Sequence, residues 1–232
     1  MSTEMADQTA TWQIDVGGER TSAVFEPASA GSIGTLYICA HGSGGHMSDK
    51  AMLAATTALR STGLDIVRFN FVYRENGSNR PDPMPRLEAC VAAVTEHARA
   101  IVRPKRVILG GRSMGGRAAS MLAAKGYACD GLLLLAYPLH PADQPEKLRD
   151  AHLPKIAVPV LCFNGTRDAL CRQDLMQKTL EHLSALWTMH WLDGADHSFH
   201  VLKSSGRTDR DVLVEVAEAT RTWLASRVMA EA

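Results

Sequence analysis

The feature that most constrains the fold is an alternation of short apolar segments with longer segments of helical periodicity. Strands that are buried on both faces of a sheet read as continuous apolar runs, so this pattern predicts an α/β fold. We expect a mostly parallel central sheet with helices on both faces. The predicted strands are 12–16, 22–26, 33–40, 65–71, 106–109, 131–136, 158–164 and 188–192, and the predicted helices are 51–61, 86–103, 115–125, 173–183 and 209–229.

The length and composition favour one domain over two. With 232 residues, of which 46% are hydrophobic, the chain can bury roughly 70% of its unfolded surface. No Gly/Ser-rich linker divides it, so we expect a single domain over residues 1–232, with residues 1–10 disordered.

Charge and cysteine content exclude several classes of protein. The 25 basic residues balance the 25 acidic ones, which disfavours nucleic-acid binding. The longest apolar run, 131–137, is too short to span a membrane. The five cysteines are scattered without a CxxC pair, and the first ten residues lack the pattern of a secretory signal. These features predict a cytoplasmic protein without a disulfide framework.

The pentapeptide Gly-Arg-Ser-Met-Gly at 111–115 lies between a predicted strand and a predicted helix. Small residues around a serine permit a sharp turn that exposes the hydroxyl of Ser113 as a nucleophile. A phosphate-binding loop would require Lys after the last glycine, whereas Arg117 follows Gly116. A glycine-rich turn without chemistry is the alternative interpretation.

Two further polar residues follow later predicted strands. Asp168 comes after strand 158–164, and His197 comes after strand 188–192. Ligands of such sheets bind at the carboxyl ends of the strands, so we expect Ser113, Asp168 and His197 to meet there. His197 would accept the proton of Ser113, and Asp168 would orient the imidazole.

Other residues near these loops remain alternatives. His200 could replace His197 as the base, and Asp196 could replace Asp168 as the acid, although adjacent side chains usually diverge. His41, His46 and Asp49 lack the spacing of a metal site, so no metal is expected.

The glycine-rich loop 41–45 follows a third strand. Glycines allow backbone to approach a ligand closely, so this loop is suited to bind an oxyanion. The expected N–H donors are those of Met114 and Ser43, with Gly44 as the alternative to Ser43.

The segment 137–155 has room for one short helical turn, expected near 146–150, which predicts a minimal lid and an open site. Segments 73–85 and 137–141 would form its walls. Arg74, Arg80 and Arg112 would favour an acidic acyl substrate, unless they are solvated or paired with carboxylates. The predicted substrate contacts are Gly44, Tyr73, Arg74, Arg112 and Tyr137.

Several segments between residues 36 and 200 resemble those of α/β-hydrolases. More narrowly, the chain is similar to a small dienelactone-hydrolase-like group, which includes the testis-expressed hydrolase-like protein and the third NSL-complex subunit. The resemblance implies Ser113 as nucleophile, Asp168 as acid and His197 as base. Dienelactone hydrolases proper carry cysteine in place of Ser113. The similar segments are HGSGG, RFNFVYRENGSNRPDP, GGRSMGGRAAS, YPLHPADQPEKLRDAHLP, FNGTRD and WLDGADHSF.

The expected function is therefore hydrolysis of a carboxylic ester or thioester of a small soluble substrate, through an acyl-enzyme and without a cofactor. A non-catalytic scaffold with the same fold is the alternative outside the enzymes. A serine peptidase and an acyltransferase are the alternatives among them.

Overall fold

A computed structural model describes residues 8–229, and its strands form a single eight-stranded sheet. The order across the sheet is β1-β2-β4-β3-β5-β6-β7-β8. The β1–β2 and β2–β4 pairs are antiparallel, and the others are parallel. The strands are β1 (Ala10–Val16), β2 (Glu19–Glu26), β3 (Thr35–Ala40), β4 (Asp65–Phe69), β5 (Arg106–Arg112), β6 (Gly131–Leu135), β7 (Val160–Gly165) and β8 (Trp187–Leu192).

Helices cover both faces of the sheet, which confirms the predicted α/β architecture. The helices are α1 (Lys50–Arg60), α2 (Val72–Glu75), α3 (Met84–Val102), α4 (Met114–Ala124), α5 (Gln173–Leu180) and α6 (Asp209–Trp223). Buried side chains of α3, α4 and α5 pack on one face, and those of α1 and α6 pack on the other.

Strand β3 shows why the strands read as continuous apolar runs. Leu36, Ile38 and Ala40 belong to the core on one face, while Tyr37 and Cys39 belong to the core on the other. Successive side chains of a strand point to opposite faces, so a strand covered on both sides requires apolar residues at every position.

Irregular segments differ from the predictions. No helix forms at 146–150, and a 3₁₀ turn at Leu153–Lys155 replaces it. The segment expected to be irregular after residue 73 begins instead with helix α2. The last predicted helix changes to a π-helical turn over Leu224–Val228. These segments contain prolines or lack clear periodicity, so their conformation depends on tertiary packing.

The beginnings of two elements also differ. Of the segment predicted to be disordered, residues 1–7 lie outside the described residues, but Ala10 already belongs to β1. The helix predicted from residue 51 begins at Lys50, and Asp49 precedes its first turn in an extended conformation. The Asp49 carboxylate accepts a hydrogen bond from the His46 N–H at 2.7 Å, so it stabilises the preceding loop.

Within residues 8–229, no helix has the length and apolar character needed to cross a bilayer.

The turn between β5 and α4 packs against the end of β3 through backbone. A Cβ atom on Gly111 would lie 2.1 Å from the Ala40 carbonyl oxygen, and one on Gly115 would lie 2.5 Å from it. Gly111 also has a φ of +134°, which side chains disfavour. These glycines therefore allow α4 to begin directly beside β3.

We predict that Gly115→Ala destabilises the protein by about 2 kcal/mol or more, because the new methyl group would collide with backbone that cannot move independently. Gly42→Ala is the matched control, since its Cβ would lie 3.5 Å from Ser113 Cβ, an ordinary contact. It should change stability by less than about 1 kcal/mol. Urea unfolding followed by circular dichroism measures both, and equal destabilisation of the two variants would contradict the prediction.

Candidate active site

Ser113 stands alone between the end of β5 and the start of α4, in a strained backbone conformation. Its φ is 49° and its ψ is −116°, a combination that costs about 1–3 kcal/mol for a residue with a side chain. The Ser113 N–H donates to the Leu135 carbonyl at 2.8 Å, and its carbonyl accepts from the Arg117 N–H at 3.0 Å. These bonds hold the turn, which presents the hydroxyl at the carboxyl end of the sheet.

A continuous hydrogen-bonded chain connects Ser113, His197 and Asp168. The Ser113 Oγ lies 3.0 Å from His197 Nε2. The other ring nitrogen, Nδ1, lies 2.8 and 2.9 Å from the two carboxylate oxygens of Asp168. A carboxylate can only accept from Nδ1–H, which leaves Nε2 of the neutral ring free to accept the Ser113 proton.

The Asp168 carboxylate is fully buried, whereas the His197 side chain is 26% exposed. Burying a carboxylate is costly unless donors surround it. Asn164 Nδ2 donates to Oδ2 at 2.9 Å, and the Leu170 N–H donates to Oδ1 at 2.8 Å. Sequence reasoning missed Asn164, although a single polar residue near the end of an apolar strand is a recognisable signal.

The alternative base and acid lie elsewhere. The His200 ring is 56% exposed and contacts the carboxylate of Asp209 at 3.0 Å, which raises its pKa. Asp196 accepts hydrogen bonds from the N–H groups of Ser198 and His200. Neither residue therefore takes part in the chain that reaches Ser113.

His41 organises the loop that follows β3. Its Nδ1–H donates to the Gly42 carbonyl at 2.7 Å, and its Nε2 accepts from the Phe71 N–H at 3.1 Å. Burial lowers the pKa of this imidazole to about 4, in keeping with a neutral ring. Because the C=O and N–H of a trans peptide point in opposite directions, the Ser43 N–H points away from His41.

Ser43, Ser113 and Met114 line one cavity of about 520 Å³. Met114 is the first residue of α4, so its N–H has no acceptor within the helix. In the described part of the chain the Ser43 N–H also has no hydrogen-bond partner. The N–H of Gly44, the alternative donor, is instead bonded to the Tyr73 hydroxyl at 3.2 Å.

The predicted substrate contacts at Gly44, Tyr73, Arg74, Arg112 and Tyr137 lie outside the lining of this cavity. Arg74 donates to the Ser78 carbonyl and the Asn79 side chain. The Tyr137 hydroxyl donates to the Arg149 carbonyl at 2.6 Å. These polar groups are thus used to support the surrounding loops.

Arg112 supports the loop that carries His197. Its guanidinium donates to the His197 carbonyl at 2.5 Å and lies over the ring of Phe199, 5.4 Å from the centroid. It therefore acts on the candidate site through the His197 backbone and not from the cavity that Ser113 lines.

A family model described as an alpha/beta hydrolase domain matches residues 34–225. The chain belongs to this family. A lidless serine hydrolase from Xanthomonas campestris is 23% identical, with a TM-score of 0.75 over 93% of this chain and 95% of that one. A serine hydrolase homologue from Coxiella burnetii is 20% identical, with a TM-score of 0.74 over 93% and 97%.

Dienelactone hydrolase from Anabaena variabilis is also similar in structure, with 18% identity and a TM-score of 0.71 over 96% of this chain and 99% of that one. The resemblance to α/β-hydrolases is therefore confirmed by the family model, and the dienelactone hydrolase shares the fold. At these identities, the solved structures establish the fold alone.

The minimal lid is a feature of this α/β-hydrolase domain. Between the end of β6 at Leu135 and the start of β7 at Val160, the only regular element is the 3₁₀ turn at Leu153–Lys155. The cavity is consequently accessible from solvent.

Arg117 and Arg149 also line the cavity, and sequence reasoning missed both. Arg117 follows Ser113 by one helical turn, so helical periodicity could have indicated it. Arg149 lies in an irregular segment, where no periodicity applies. Among the described residues, no cluster of three or more His, Cys, Asp or Glu side chains could hold a metal ion.

We predict that acid unfolding depends on His41. Its folded-state pKa of about 4 lies below its ordinary value of 6.5, so the unfolded chain binds more protons between these pH values. The free energy of unfolding should fall as the pH drops through this window. His41→Gln should make that fall smaller, as measured by urea unfolding at several pH values.

His200→Gln is the control for His41→Gln, because its pKa shift has the opposite sign. A raised pKa stabilises the fold below the unfolded pKa, and this stability is lost as the pH rises through the folded pKa. Removing the His200 imidazole should therefore not reduce the fall in the free energy of unfolding at acidic pH. A reduction of that loss in His200→Gln but not in His41→Gln would contradict the assignment.

Proposed function

We propose that this protein is a serine hydrolase that cleaves a carboxylic ester or thioester of a small substrate through an acyl-enzyme. The observation that carries the proposal is the hydrogen-bonded chain from the Ser113 hydroxyl through His197 to Asp168. The hydroxyl end of this hydrogen-bonded chain, at Ser113, lines a cavity. Ser43 and Met114, whose N–H groups are available to a ligand, also line that cavity.

In the first half of the proposed reaction, Ser113 Oγ attacks the carbonyl carbon while His197 Nε2 takes its proton. The negative charge on the carbonyl oxygen is stabilised by the N–H groups of Met114 and Ser43. Asp168 stabilises the imidazolium and holds its orientation. His197 then gives the proton to the leaving alcohol or thiol as the bond to the carbonyl carbon breaks.

In the second half, a water molecule attacks the acyl-enzyme, and His197 accepts a proton from it. The tetrahedral intermediate collapses, the acid is released, and the proton returns to Ser113 Oγ. Every group in this mechanism belongs to the protein, to the substrate or to the attacking water, so the proposal requires no cofactor or metal.

The strain at Ser113 supports an enzyme over a scaffold with the same fold. A residue with a φ of 49° and a ψ of −116° gains nothing for stability, and such strain is typical of active sites. Among the structural relatives, an esterase domain from Rhodothermus marinus and Est1E from Butyrivibrio proteoclasticus, the latter with bound ferulic acid, are consistent with ester chemistry.

The proposal includes a cytoplasmic location and a single domain over residues 1–232. The five free cysteines support the location, because such thiols persist in reducing compartments. The common sheet of all eight strands supports the single domain.

A fluorophosphonate probe tests for an activated serine. We expect wild-type protein to be labelled, because the Ser113 oxygen forms a bond to phosphorus as fluoride leaves and His197 takes the proton. Ser113→Ala should not be labelled. Ser43→Ala is the matched control, because it removes the other hydroxyl at the cavity but keeps the backbone N–H. Absence of wild-type labelling would favour a non-catalytic protein.

Kinetics of the two histidine variants test the proposed base. His197→Ala should lower kcat for a neutral ester by about 10⁴-fold or more, since no other group accepts the Ser113 proton. His200→Ala should stay within about threefold of wild type, because the His200 ring contacts Asp209 and not Ser113. The opposite ranking would transfer the role of base to His200.

Capture of the acyl group by an added thiol or alcohol would identify an acyltransferase.

A further inference from the structure

Two arginines give the cavity at Ser113 a charge that the proposed ester chemistry does not use. Arg117 and Arg149 both line it. Arg117 lies on α4 one turn beyond Ser113, and its backbone N–H donates to the Ser113 carbonyl at 3.0 Å. Side chains four residues apart on a helix lie about 5–6 Å from each other, so a small molecule bound at Ser113 is within reach of Arg117.

Neither guanidinium is neutralised by the described part of the chain. No carboxylate of those residues lies within ion-pair distance of Arg117 or Arg149. Arg117 Nε is buried without a hydrogen-bond acceptor. Arg149 Nη1 makes only a long contact, 3.4 Å, with the Pro138 carbonyl. Two half-buried cations therefore share one cavity without a compensating charge.

Two other partly buried arginines in the described residues have a carboxylate partner. Arg68 is bonded to Glu26 at 2.8 Å, and Arg207 is paired with Glu215. A buried charge is costly unless it is paired, so residues that form no pair need a reason to stay charged.

The remaining titratable groups around the cavity do not balance the two cations. Asp82 contributes one carboxylate to the lining, but Arg86 Nη1 lies 3.4 Å from it. The His152 ring contacts the Ser120 hydroxyl at 2.8 Å, and burial and the charge of Arg117 lower the pKa of its imidazole to about 4. Burial, followed by the charge of Arg117, also lowers the pKa of Arg149. The cavity consequently favours an added anion.

We propose that Arg117 and Arg149 form an anion subsite that selects esters carrying a carboxylate a few bonds from the scissile carbonyl. Two guanidinium groups can donate several charge-assisted hydrogen bonds to one carboxylate, and their mutual repulsion is relieved when it binds. The subsite rests on the proposed hydrolase function. The expectation of an acidic substrate is therefore kept. The residues proposed to bind it are now Arg117 and Arg149 in place of Arg74, Arg80 and Arg112.

Matched esters test the subsite. Monoethyl glutarate and ethyl pentanoate differ chiefly in a carboxylate on the acyl side, and 3-acetoxypropanoate and propyl acetate make the comparison on the alcohol side. Hydrolysis is followed by alkali uptake at constant pH. We expect wild-type protein to prefer the carboxylate member of at least one pair by about tenfold or more in kcat/KM. The pair that shows the preference identifies the side on which the anion binds.

The double variant Arg117→Gln/Arg149→Gln should lose this preference, so that its ratio of kcat/KM values approaches one. Arg210→Gln is the matched control, because Arg210 is exposed on α6 and lies outside the lining of the cavity. It should keep the wild-type ratio. Equal kcat/KM for both members of each pair in wild-type protein, or an unchanged ratio in the double variant, would overturn the subsite.

A binding measurement separates failure of the subsite from failure of the proposed hydrolase function. Calorimetry with glutarate, using Ser113→Ala protein, reports on the arginines without requiring turnover. We expect binding that weakens about tenfold or more in the triple variant with both glutamines and is unchanged with Arg210→Gln. Glutarate binding without ester hydrolysis would support the subsite and contradict the hydrolase. Hydrolysis of neutral esters without glutarate binding would support the hydrolase and contradict the subsite.

Discussion

The structure depends on the close backbone contact between the turn that carries Ser113 and the end of β3. Gly111 and Gly115 bring this turn so near to the Ala40 carbonyl that no side chain fits between them. The contact keeps Ser113 in its strained conformation and also holds it beside loop 41–45. This one packing contact thus positions both the proposed nucleophile and the proposed oxyanion donors. The stability of the surrounding sheet offsets the free-energy cost of the strained Ser113 backbone.

Polar groups around the candidate site fall into two classes, those with hydrogen-bond partners inside the protein and those without. Asp168 is buried but surrounded by donors, and His41 is buried as a neutral ring with both nitrogens bonded. Arg117 and Arg149 have no such compensation from the described residues. Groups that are satisfied internally position the site, whereas groups that are left unsatisfied are available to a ligand.

The core of the fold and the three proposed catalytic residues could be predicted from local patterns. Continuous apolar runs indicated buried parallel strands, and the residues directly after them belong at one edge of the sheet. The irregular segments could not be predicted in the same way. The turn at Leu153–Lys155 and helix α2 lie where prolines or mixed polarity remove any periodicity, so their conformation follows from contacts with distant elements.

The amino-acid sequence by itself determined the eight strands, five of the six α-helices and their order along the chain, and it placed Ser113, Asp168 and His197 directly after predicted strands. Apolar patterns identify strands locally. Because the carboxyl ends of parallel strands lie at the same edge of a sheet, residues that follow these strands come close together. Only the tertiary structure decided that Arg112 binds the backbone of the His197 loop and that the Gly44 N–H donates to the Tyr73 hydroxyl. It also decided that Arg149 lines the cavity. Those roles depend on where long side chains from unrelated segments meet, which no local pattern specifies.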